Sequence, residues 1–120
     1  MRNELKYILV RTDGTYSIVE ISDDDFLSQA YKLIGCELIE TVPLIYGEIM
    51  IIDEEGKLKQ HRMNYWATHI YQTLHKSNDY IAGNILIGKV SGCDIIGLSS
   101  DSINRYISRL EVHGYVNTCC

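Results

Sequence analysis

An α+β domain built on a mainly antiparallel sheet with about three helices is the fold this sequence predicts, and three observations predict it. Short runs rich in β-branched and aromatic residues follow one another across turn signals. Three helical stretches carry their apolar residues on one face, each behind a capping residue. The order strand, strand, helix, three strands, helix, strand, helix lacks the regular helical crossovers of a parallel sheet. At 120 residues the chain is one domain, 1–120, with its three helices expected over one face or one end of the sheet. Apolar residues at 46% and charged residues at 22% place it among globular proteins and exclude a disordered segment, a collagen-like repeat or a coiled coil.

Leu5–Arg11 is nearly continuous apolar sequence, Thr12-Asp13-Gly14 is a turn, and Thr15–Ile21 is β-rich, so the chain opens on a hairpin. Ser22 before Asp23-Asp24-Asp25 reads as an N-cap with acidic residues complementing the helix dipole. Phe26, Leu27, Ala30, Tyr31 and Ile34 then share a helical face that Gly35 ends. Cys36–Leu44 alternates up to Pro43, an edge strand or bulge. Glu48–Asp53 is a buried strand, Glu55-Gly56 a turn, and Lys57-Leu58-Lys59 the expected start of a further strand. Asn64 caps a helix to about His75, with Trp66, Ala67, Ile70, Tyr71 and Leu74 inward. Asp79–Val90 is expected to be strand and Gly92–Gly97 a turn region. Ser99 or Ser100 caps a last helix, with Ile103, Tyr106, Ile107 and Leu110 inward and Gly114 at its close.

Eleven basic side chains against sixteen acidic ones give a net charge of −5, which argues against a partner made of duplex nucleic acid. The acid is uneven: residues 1–60 hold twelve carboxylates and six basic groups, residues 61–120 four and five. An anion site therefore belongs in the second half or where it begins. No apolar run approaches the ~18 residues of a membrane span, and the opening MRNELKYILVR lacks a signal-peptide profile, so a cytosolic protein is expected. Cys36, Cys93, Cys119 and Cys120 have no metal-ligand rhythm, and reduced thiols are expected, with a cross-linking pair at Cys119-Cys120 as the alternative.

Nothing in the sequence compels an enzyme. Gly83-Asn84-Ile85-Leu86-Ile87-Gly88-Lys89 has the spacing of a phosphate-binding loop, but Val90 stands where the metal-binding hydroxyl belongs and the interior is strand material. His61, His69, His75 and His113 share no i, i+4 spacing and read as isolated residues, with no metal site. No nucleophile has an orienting partner. Binding chemistry remains. Lys57, Lys59, His61 and Arg62 form a basic segment leading into Tyr65 and Trp66. Arg105 and Arg109 lie four apart on the last helix, away from its apolar face, where two guanidiniums suit a diphosphate. On that placement, replacing either should barely change folding. The alternative is a solvated face with Asp101 pairing to Arg105 at i, i+4. Nine tyrosines and one tryptophan against one phenylalanine suit a base-stacking pocket or a subunit interface equally well. Trp66 falls on the core face of its helix and Tyr65 on the other side.

The stretches YILVRTDGTYSIVEI with SDDDF, NYWATHIY, DYIAGNILIG and INRYISRLEVHGYV together resemble a family of small phage proteins that counter bacterial immunity, the first type of Thoeris anti-defence protein. The resemblance spans most of the chain and implies a single nucleotide-binding domain acting as a sponge in the host cell cytoplasm. Such a protein takes no cofactor and sequesters a cyclic ADP-ribose-type signal, and in some members cyclic oligonucleotides, without cleaving it. It also implies a homo-oligomer, a dimer or dimers gathered into a hexamer, with nucleotide pockets between protomers. Carried onto this sequence, it implies phosphate contacts from Arg105 and Arg109, with Arg62 of the basic segment beside them, and base or ribose contacts from Trp66 or Tyr65 and Asn84. A rival reading from the acidic first half is a DNA-mimic inhibitor of restriction enzymes.

Overall fold

The computed structural model describes residues 5–118; the Cys119-Cys120 pair lies outside the described residues. Strands β1 (Lys6–Val10) and β2 (Thr15–Glu20) form the opening hairpin, with Gly14 at φ 88° in its turn. A 3-10 turn at Asp23–Asp25 leads into α1 (Phe26–Ile34). Then come β3 (Ile39–Pro43), β4 (Glu48–Asp53), α2 (Tyr65–His75), β5 (Ile85–Ser91), β6 (Asp94–Ile96), α3 (Ser100–Val112) and β7 (Val116–Asn117). The sheet runs β3-β4-β5-β1-β2-β7, with β6 paired to β5, and every pairing is antiparallel except β2 with β7. The fold is the α+β arrangement expected, and no described helix is long and apolar enough to cross a membrane.

The helices do not share one face as expected. Alternate residues of each central strand point to opposite sides, and both sides are covered. Ile8, Val10, Met50, Ile52, Ile85 and Ile87 pack under α2 and α3. Tyr7, Leu9, Ile49, Ile51 and Leu86 pack under α1. Helical periodicity identifies an apolar stripe but carries no information about which face of the sheet receives it, which is why the expected single face does not hold.

Four local expectations change. Ser22 precedes the 3-10 turn, but its side chain makes no capping bond. Lys57-Leu58-Lys59 is turn rather than strand: the Lys59 N–H bonds the Glu55 carbonyl and the Gln60 N–H the Lys57 carbonyl, and Lys59 Nζ lies 3.1 Å from buried Asp53. Residues 79–84 are irregular except for a bridge from Ala82 to Met63, so the strand begins at Ile85. The region 92–97 contains β6, and β7 was not anticipated. By contrast, Asn64 Oδ1 accepts from Ala67 N and Ser99 Oγ from Ser102 N, so both later helices are capped as read.

The glycine-punctuated stretch 83–89 is strand from Ile85 on. Gly88 is there for packing: a Cβ at this position would sit 2.9 Å from Cε2 of Tyr7 and 3.1 Å from the Ile96 carbonyl oxygen. Gly88→Ala should therefore cost about 1–3 kcal/mol, because the Tyr7 ring cannot retreat within a core at native density. Urea unfolding of the variant checks this, and an unchanged midpoint would show that the ring has room.

Asp53 closes β4 and is 3% exposed. Burial alone would raise its carboxyl pKa, but the Glu55 N–H (2.8 Å), Lys59 (3.1 Å) and His61 (3.2 Å) together hold it below the ordinary carboxylate value. A depressed folded-state pKa means stabilisation that is whole above the ordinary value and is lost as pH falls through the folded one. Asp53→Asn should flatten the fall of melting temperature on acidification below about pH 4. An unaltered slope would place the acid sensitivity elsewhere.

Candidate functional site

The last helix and the β3–β4 hairpin meet at the arginines singled out from the sequence. Ser99 starts α3, and Ile103, Tyr106 and Leu110 bury its inner stripe. Arg105 lies off that stripe, yet its side chain turns back across Tyr106 to the beginning of β4. There Arg105 Nη2 donates to Glu48 Oε2 and the Tyr106 hydroxyl to Glu48 Oε1, both at 2.6 Å. Glu48 is 2% exposed, so its charge is held almost wholly inside protein by these two donors. Burial first, then the bond to Glu48 and its charge, push the Tyr106 phenol well above its ordinary value.

Arg105 is thus a paired, partly buried group, and its partner is Glu48 rather than Asp101. This corrects the expectation that both guanidiniums simply project from one side of the helix, away from its apolar face. Fifty-seven residues separate Arg105 from its partner, so no helical spacing could have revealed it. The guanidinium also lies between two rings, 4.9 Å from the centre of Tyr106 and 5.4 Å from that of Tyr46. Its Nη1 is buried and has no hydrogen-bond partner among the described residues.

Tyr46 was missed in the sequence. It sits in the hairpin turn at φ 60°, followed by Gly47 at φ 74°, and the Glu48 N–H closes the turn on the Ile45 carbonyl. Two successive positive angles make the tight turn that matches the twist of the strands. A tyrosine there carries strain of about 1–3 kcal/mol that glycine or asparagine would not. The residue is 76% exposed although its ring lies against Arg105. The available signal was an aromatic beside glycine in a turn, a position where neither hydrophobic burial nor turn chemistry asks for one.

Arg109, one turn beyond Arg105, is exposed and forms no ion pair with any described residue. It borders a cavity of about 90 Å³ whose apolar wall includes Leu44, Ile45, Ile70 and Leu74. The other sequence-derived candidates lie elsewhere. Trp66 is 2% exposed, packs edge-on to Tyr106 with centroids 6.0 Å apart, and belongs to the core. Its main-chain N–H donates to the Tyr115 hydroxyl at 3.2 Å. Asn84 Oδ1 accepts from Thr12 N at 3.1 Å and ties the first hairpin turn to β5. Arg62 is exposed, and its carbonyl accepts from Gly83 N. Tyr65 is 72% exposed at the start of α2. From Tyr65 to Thr73, which borders the Arg109 cavity, is about 12 Å along α2. Arg105 and Arg109 are together; Arg62, Tyr65 and Asn84 belong to the opposite end of that helix.

The histidines are less isolated than their spacing indicated. His61 bonds Asp53, His75 bonds the Pro43 carbonyl at 2.8 Å, and the rings of His69 and His113 lie 5.4 Å apart between α2 and α3. No group of three or more potential ligands gathers among the described residues.

Residues 5–111 match a family described as a domain of unknown function, DUF3846, and the chain belongs to that family. Neither a curated protein nor a solved structure matches it.

The two arginines should behave differently in stability measurements. Glu48→Ala leaves a guanidinium half-enclosed without its counter-charge, and Arg105→Ala strands a buried carboxylate. Each should cost about 2–4 kcal/mol, with the double variant costing much less than their sum. Arg109→Ala should stay within about 0.5 kcal/mol of the parent. Additive losses in the denaturation cycle would show that Glu48 and Arg105 act independently.

Proposed function

We propose that the protein binds a cyclic ADP-ribose-type signal across the rim formed by Tyr46, Arg105 and Arg109 and sequesters it uncleaved, the role of a phage anti-defence sponge in the host cytoplasm. The observation that carries this reading is Tyr46. An exposed ring is held at a strained backbone angle and backed by a guanidinium, with a second, unpaired arginine one helical turn away. A base stacks on the open face of such a ring, and a phosphate finds Arg109 beside it. Arg105 supports the platform, while its own charge is largely answered by Glu48.

The cavity beside Arg109, at about 90 Å³, is far smaller than the ~300 Å³ at which small-molecule sites begin. A dinucleotide would therefore lie over the rim and gain enclosure from a second copy of the chain. This is the homo-oligomeric arrangement, a dimer or dimers assembled into a hexamer, that the family resemblance implies. Sequestration rather than cleavage fits how the buried acids are used. Glu48 holds Arg105 and Tyr106, and Asp53 holds Lys59 and His61; each serves the fold. Cyclic oligonucleotides, where bound, would occupy a separate site.

Mixing the protein with a cyclic ADP-ribose isomer, removing unbound ligand, boiling, and analysing the supernatant by mass spectrometry should return the ligand intact. Arg109→Ala should weaken binding by about 1.5–3 kcal/mol, the scale of a charge-assisted contact, and Tyr46→Ala by about 1–3 kcal/mol through lost stacking. Light scattering with ligand should show an assembly larger than a monomer. Recovery of a cleaved product would make the protein an enzyme, and unaltered affinity in both variants would move the site away from this rim.

A further inference from the structure

A second cleft lies on the same side of the sheet, away from Arg109 and sharing no lining residue with the first. It encloses about 350 Å³, within the range of small-molecule sites. The turn after β4 closes one side and the segment after α2 the other. Its floor is apolar, formed by Val42, Ile52 and Ile81, and Leu58 overhangs it at 83% exposure. A leucine so exposed at the lip of a cleft offers apolar surface to whatever enters.

The rim is acidic. Glu40 projects from β3 opposite Ile52, and Glu54 follows β4; both are exposed and neither forms an ion pair with a described residue. The remaining carboxylates of the cleft are answered already, Asp53 by Lys59 and His61, and Asp79 by Lys57. That last pair shows what the wall accepts. The Lys57 ammonium bonds Asp79 and stands 4.8 Å over the ring of Tyr80. A carboxylate beside an aromatic face is the usual environment of an organic cation.

We propose that this cleft is a binding site for a small organic amine, with the apolar body against Val42, Ile52 and Leu58 and the ammonium between Glu40 and Glu54, the Tyr80 ring being already covered by Lys57. The attraction is electrostatic at the rim and hydrophobic at the floor. An anion of the same shape is repelled by the two unpaired carboxylates, and a neutral isostere loses the charge contribution. The site does not depend on the nucleotide reading, since it uses none of Tyr46, Arg105 or Arg109.

Titrating the full chain at neutral pH with 2-phenylethylamine, 2-phenylethanol and phenylacetate, followed by NMR, separates these contributions. The amine should bind at least tenfold more tightly than the alcohol, phenylacetate should not bind, and shifts should centre on Leu58 and Tyr80. The double variant Glu40→Gln/Glu54→Gln, altered only at exposed positions, should bring the amine down to the level of the alcohol. Arg109→Ala should bind the amine as the parent does, so failure here and failure of the nucleotide reading are told apart. Amine binding no tighter than the alcohol, or unchanged in the double variant, would overturn the proposal. So would the absence of saturable binding up to about 5 mM, a free energy no better than about −3 kcal/mol.

Discussion

The inner strands β4, β5 and β1 are buried on both faces, and the rest of the molecule is arranged around that constraint. Ile85, Leu86 and Ile87 of β5, with Met50 and Ile51 of β4, have no measurable exposure. A strand covered on both sides cannot alternate apolar with polar, which is why these segments read as unbroken apolar runs. Polar groups are pushed to the strand ends. Glu48 opens β4 on the side of α3, and Asp53 ends it on the side of α1. Each is buried and must take its counter-charge from another part of the chain. Arg105 answers the first, Lys59 and His61 the second. The position of α3 and the path of the turn after β4 are in this sense fixed by two carboxylates.

A third polar link, only partly buried, acts at the other edge. The Tyr16 hydroxyl, pushed up to about 12 by burial and by the neighbouring carboxylate, donates to Glu111 at 2.8 Å and ties the end of α3 to β2. Asn64 does comparable work in the middle: its amide nitrogen donates to the carbonyls of Val10 and Gly83 while its oxygen caps α2. One side chain thus fixes a helix start against β1 and against the segment that leads into β5. These residues explain how a chain of this size holds three layers in register.

Much of the architecture was legible because its signals are local. Asp13-Gly14, Asn64, Ser99 and Gly35 mark turns and helix ends through their own backbone chemistry. What escaped was set by distant partners. Lys59 resembles strand sequence but lies in a turn and bonds Asp53, and β7 is two residues long, too short to carry a pattern. The site followed the same rule. Spacing placed Arg105 and Arg109 on one helix, but the difference between a neutralised guanidinium and an open one depends on Glu48, half the chain away. Trp66 and Asn84 are residue types that suit a base contact, but Trp66 is taken up by the core and Asn84, half-buried, holds the first hairpin turn. Tyr46 was legible in principle, as a large ring where a turn favours the smallest residues.

The pairing of β7 with β2 has a consequence for synthesis. Thr15 and Tyr16 meet Val116 and Asn117, and Arg11 and Ser17 bond Thr118 on the same edge. Until those late residues emerge from the ribosome, the outer side of β2 keeps unmatched amides and carbonyls, an invitation to any strand nearby. Sequence separation of this size also slows closure, because a long loop must be pinned before the contact repays it. The nascent chain therefore passes through an interval in which most of its sheet can form while one margin stays adhesive, and in that interval two chains emerging side by side can pair with each other.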